Sequence, residues 1–78
     1  MTDQEVLGKY AATLDNFETK EAYLLDGFLY FKREYRDPRE LQTRVTYHKI
    51  DDDVEAGEEN LIGMKDWATA RKTGEKVK

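Results

Sequence analysis

The chain has 78 residues, 38% hydrophobic and 38% charged, with a formal net charge of −4. A chain of this size buries only about 60% of its unfolded surface, which allows one small domain and leaves little from which to carve a deep catalytic cleft. It contains no cysteine, so disulfide staples and thiolate metal sites are excluded, and no apolar run nears the roughly 20 residues that cross a bilayer.

The first ten residues, MTDQEVLGKY, carry acids where a signal peptide has basic residues, so the expected compartment is the cytoplasm. Thr2 followed by Glu5 matches a capping box, and Val6, Leu7, Tyr10, Ala11 and Leu14 then recur at helical spacing. A helix over 3–14 is expected. Gly8 costs it about 1 kcal/mol relative to alanine, Asp15 and Asn16 end it, and Asn16 is placed to cap a further turn through Glu21.

Residues 22–50, AYLLDGFLYFKREYRDPRELQTRVTYHKI, hold most of the aromatic side chains and read as three strands. Asp26-Gly27 between apolar runs signals a type I′ hairpin, because that turn needs positive φ at both central residues. Strands are expected at 22–25 and 28–35. Asp37-Pro38 marks the second turn, since proline fixes φ and cannot donate to a ladder, and 41–50 resumes a strand pattern rich in Thr, Val and Tyr. Farther on, Leu61, Met64, Trp67, Ala68 and Arg71 share one stripe of a helix expected over 59–72, with Gly74 placed to close it. The expected fold is therefore α+β, a three-stranded antiparallel meander flanked by an N-terminal and a C-terminal helix (α-β-β-β-α). Residues 1–74 form a single domain in this reading, and 75–78 a disordered basic tail.

A two-residue turn at Asp26-Gly27 pairs Leu25 with Phe28, and a five-residue loop from Arg36 to Glu40 pairs Tyr35 with Leu41 and Phe31 with Val45. One face then collects Ala22, Leu24, Leu29, Phe31, Tyr35, Leu41, Val45 and Tyr47, the expected core. The other presents Tyr23, Leu25, Phe28 and Tyr30 beside Lys32, Arg44 and His48. If both helices pack on the first face, the second is an exposed aromatic binding patch. If one helix covers each face, no patch exists, and the sequence leaves both layouts open.

Between strand and helix lies an acidic run, Asp51, Asp52, Asp53, Glu55, Glu58 and Glu59. Such runs are usually solvated loops leading into a helix start. The sharper alternative is a patch that binds a basic partner or imitates nucleic-acid phosphates. It is not an EF-hand: counted from Asp51, the sixth position is Ala56, Gly57 comes one late, and the twelfth is Ile62.

No constellation specifies a reaction. Serine and cysteine are absent, His48 is the sole histidine, and the glycines are scattered at 8, 27, 57, 63 and 74. Nucleophilic triads, imidazole-thiolate metal clusters and glycine-rich phosphate loops are thereby excluded, and no cofactor is expected. Sheet aromatics interleaved with Lys and Arg can stack bases. In element order alone the chain resembles double-stranded-RNA-binding domains, but Glu58, Glu59 and Asn60 stand where those domains begin their last helix with basic residues. A pI near 5.0 also opposes binding to a polyanion. The leading expectation is a small acidic non-enzymatic protein-interaction module, a regulator or inhibitor binding a protein target stoichiometrically through the aromatic face, the acidic run, or both. That target could itself be a nucleic-acid-binding protein. Direct nucleic-acid binding and a homodimer formed through the sheet are the alternatives.

Overall fold

In the computed structural model, which describes residues 2–36, 38–50 and 60–78, Asp26 and Gly27 have φ of 53° and 81°. These are the positive values a type I′ turn requires. They fold β1 (Thr19–Leu25) back onto β2 (Phe28–Arg36), pairing Leu25 with Phe28 and Leu24 with Leu29 as the sequence predicts.

The second connection differs from expectation. β2 pairs with β3 (Thr43–Ile50) so that Leu29 faces Ile50, Phe31 faces His48 and Tyr35 faces Arg44. Relative to the expected pairing of Phe31 with Val45, the register is shifted by three residues. An odd shift sends every side chain of the strand to the opposite face. The physical reason lies at the far end of the ladder: the expected register carries Lys49 and Ile50 beyond the start of β2, level with the Asp26-Gly27 turn, whereas the observed one draws them back opposite Tyr30 and Leu29. Ile50 is thereby buried against the core.

The core occupies one face of this meander: Ala22, Leu24, Leu29, Phe31 and Ile50 from the strands, with Val6 and Tyr10 from above. Leu29 and Phe31 have no exposed surface, and burial of each contributes about 1.5–3 kcal/mol. Tyr35, Leu41 and Val45, expected in this core, are exposed, and Tyr47 points to the other face.

The N-terminal helix is broken in two. α1 (Asp3–Lys9) starts as the capping signal predicts, with the Glu5 amide donating to Thr2 Oγ1 at 3.2 Å. It ends at Tyr10, whose φ and ψ of −110° and 25° leave the helical range, and α2 (Ala11–Asp15) follows. Asn16 then caps no further turn. Its Oδ1 accepts from the Glu18 amide at 3.0 Å in a local Asx turn, and β1 begins at Thr19.

The C-terminal segment closes the sheet. β4 (Asn60–Leu61) pairs beside β3, α3 (Met64–Thr73) follows, and β5 (Glu75–Lys76) pairs beside β1. The result is a mixed helix-and-strand fold whose described residues form a five-stranded antiparallel sheet, in order β4-β3-β2-β1-β5, with three helices. The expected three strands were two too few. Nor is 75–78 a disordered tail: the Val77 amide donates to Ala22 O at 2.9 Å, and Lys78 Nζ donates to the carbonyls of Leu14 and Asn16 at the end of α2. A lysine there satisfies carbonyls that a helix terminus leaves without partners.

Of the two layouts left open by the sequence, the structure has the second. α1 and α2 lie over the Phe31 face, and α3 lies over the opposite one. Trp67, buried on α3, meets Tyr23 edge-on at a centroid distance of 5.5 Å and Tyr47 at 5.1 Å.

Candidate functional site

The predicted aromatic patch is divided between faces. Tyr23 is buried beneath Trp67, while Leu25, Phe28, Tyr30 and Lys32 share its face and are half-buried. The cation over these rings is Lys49, 4.4 Å from the Phe28 centroid and 5.7 Å from that of Tyr30. Arg44 and His48, expected beside them, lie on the α1–α2 face because of the register shift. His48 is buried there, its ring stacked on Phe31 at 4.9 Å and its Nε2 2.7 Å from Thr46 Oγ1. The seven residues expected on one surface are therefore split, five on the α3 face with Tyr23 covered by Trp67, and two on the α1–α2 face. The acidic run Asp51, Asp52, Asp53, Glu55, Glu58 and Glu59 lies outside the described residues.

Burial beneath the helix has a chemical consequence at Tyr23. Desolvation first, and the hydrogen bond from its hydroxyl to Glu21 Oε2 at 3.0 Å second, raise its phenol above the ordinary value of 10.0. Arg71 Nε stands 3.8 Å from the same carboxylate oxygen and counters the rise in part. This trio fastens α3 to the sheet.

Exposed apolar surface appears elsewhere, on the outer half of the β2–β3 hairpin. β1 begins at Thr19, opposite Arg33, so the pairs Glu34–Val45, Tyr35–Arg44 and Arg36–Thr43 continue as a two-stranded arm with no third strand beside them among the described residues. Tyr35 and Val45 are each 42% exposed, and Leu41 at the tip is 93% exposed. Beside the tip, Glu40 binds Arg44 through both carboxylate oxygens at 2.7 and 3.0 Å, a fork geometry that stiffens the connection.

At the base of the arm, the Glu34 amide donates to Glu18 O at 2.8 Å and fastens it to the segment between α2 and β1. Phe17, 78% exposed, stands there with Lys20 Nζ 5.7 Å from its ring centroid. Phe17, Glu18, Lys20, Glu34, Tyr35, Arg36 and Thr43 line an open cleft of about 300 Å³ between that segment and the arm. Two aromatic rings flanked by charges of both signs suit a protein side chain with an apolar body and a polar end.

Neither the arm nor the cleft was singled out from the sequence. A signal for the arm was nonetheless present, since the expected strand at 28–35 is longer than its partner at 22–25 and must overhang it. Among the described residues, no group of three His, Asp or Glu is placed to hold a metal ion, and no helix is long and apolar enough to cross a membrane. Comparison with protein-family models, with curated proteins and with solved structures gives no match.

Proposed function

We propose that this chain is a non-enzymatic protein-interaction module, acting in the cytoplasm as a stoichiometric regulator or inhibitor, and that it engages its target through the β2–β3 arm. The observation that carries this reading is the placement of Tyr35, Leu41 and Val45 on a projection that no other described element covers. Exposed aromatic and apolar groups rimmed by arginine have the composition of an interface centre. Support for a non-catalytic role comes from the absence of serine and cysteine and from the sequestration of His48 against Phe31.

Charge favours a protein over a nucleic acid as the target. In sequence, residues 34–45 carry Arg36, Arg39 and Arg44 against Glu34, Asp37 and Glu40, so this stretch offers a polyanion no net attraction. The acidic residues from Asp51 to Glu59 add steering toward a basic protein surface.

The test is affinity capture from host lysate with the full chain and with a Tyr35→Ala/Leu41→Ser double variant of unchanged circular dichroism. A protein retained by the wild type and lost with the variant supports the reading. Retention by both, or retention abolished by nuclease, overturns it.

A further inference from the structure

The arm has two long edges, and the outer edge of β3 carries an inference separate from the target-binding reading. The Ile62 amide donates to Tyr47 O at 2.9 Å, and β4 pairs only opposite His48 and Lys49. In an antiparallel ladder each residue sends its N–H and C=O to the same side, and successive residues alternate. Since Tyr47 points outward to Ile62, Val45 and Thr43 also point outward. Among the described residues, no strand pairs with β3 from Thr43 to Thr46 on that side. The outer edge of β1 contrasts with this: it is covered by β5 and the Ala22–Lys78 bonds and irregular at Lys20, two devices that block strand addition.

We propose that the open edge of β3 pairs with the same edge of a second copy, antiparallel about a two-fold axis at Arg44, joining two five-stranded sheets into one. Thr43 of each copy then faces Val45 of the other, and each such pair exchanges both main-chain hydrogen bonds. The side chains favour a second copy over an unrelated strand. Val45 points to the α3 side of the sheet, where half-buried Ile62 and 62% exposed Met64 stand at the same edge. Ile62 already holds the outer side of Tyr47, so the strand pairing ends at Val45, and Leu41, in the bend before Thr43, abuts the other copy's Ile62 and Met64. Three side chains exposed in the single chain, Leu41, Val45 and Met64, are covered by one operation and in both copies at once.

Charge permits the approach. Each chain carries −4 overall, but the copies meet where Glu40 neutralises Arg44 through its paired bonds of 2.7 and 3.0 Å. Thr43 borders the Phe17–Tyr35 cleft and Leu41 and Val45 belong to both readings, but Tyr35 stands on β2, away from the paired edge, so Tyr35→Ala, expected to lose target capture and keep the dimer, separates the two results.

The experiment is sedimentation velocity on the full chain from about 10 µM to 1 mM, the range expected for a short strand-to-strand contact, with Val45→Pro and Val45→Lys as variants. Proline removes an outward N–H that the β2 ladder does not use, a substitution edge strands accommodate. Lysine keeps the N–H and replaces the apolar contact with like charge, so it decides the matter if the proline variant does not fold. The expected result is a concentration-dependent doubling of mass for the wild type and a monomer for the folded variants. A wild type that stays monomeric to the top of the range, or a dimer that persists in a folded variant, overturns the proposal.

Discussion

The Tyr23 hydroxyl donates to Glu21 Oε2 across 3.0 Å, so two residues on one face of β1 form the seat on which Trp67 and Arg71 hold α3. The raised phenol pKa makes this seat sensitive to alkali. Because the folded value lies above the unfolded value of about 10, the stability contributed by the neutral phenol is complete below pH 10 and is lost as pH rises through the folded pKa. Urea unfolding between pH 8 and 11.5 should show this decline, and Tyr23→Phe should flatten it while costing about 1 kcal/mol near neutrality for the lost hydrogen bond. An equally steep decline in the variant would assign the alkaline sensitivity to other groups.

Trp67 is the principal apolar contact between α3 and the sheet, and Ala70 is the other buried residue of that helix. Trp67→Ala should cost about 3–5 kcal/mol, a large share of the 5–15 kcal/mol typical of a whole domain. The near-ultraviolet signal of Tyr23 and Tyr47 should weaken with it. A midpoint within 2 °C of wild type, a shift smaller than about 1 kcal/mol produces, would show that α3 is held by something else.

Gly74 ends α3 with φ of −82° and ψ of 168°, an extended conformation open to any residue. Its requirement is for space. A Cβ there would lie 2.6 Å from Ala70 O and 2.8 Å from Leu24 O, both main-chain atoms with little freedom to yield. Gly74→Ala should therefore destabilise by about 1–3 kcal/mol through overpacking and loosen β5 from β1. Amide exchange at Val77 would report the loosening, and unchanged protection would contradict it.

Leu41 makes the opposite prediction. At the solvated tip of the arm, Leu41→Ser should change stability by less than about 0.5 kcal/mol and yet weaken both target capture and self-association. A drop in melting temperature beyond a few degrees would mean that the tip packs against the body.

The parts of the fold that were legible in sequence are those with a strong local signal. Asp26-Gly27 dictated its hairpin and the register beside it, and Thr2 with Glu5 marked the start of α1. The register of β3 was not legible, because the strand carries apolar groups at both parities, Val45 and Tyr47 on one and Ile50 on the other. Only the length of the connection decides between them, and Asp37-Pro38 fits a loop of five residues as well as one of six. That ambiguity misplaced Arg44 and His48 in the expected patch. β4 and β5 are too short to leave any periodic trace, since two residues cannot display alternation.

Residues 60–78 supply both outermost strands and the helix over the second face, so this one stretch works as a clasp thrown across a sheet assembled from earlier residues. The central hairpins close through contacts near in sequence, which form early. The clasp cannot close until residues 60–78 have been made. Until then the nascent meander has bare margins on both sides and an unsheltered Tyr23, and this interval is when the polypeptide is most vulnerable to pairing with its neighbours.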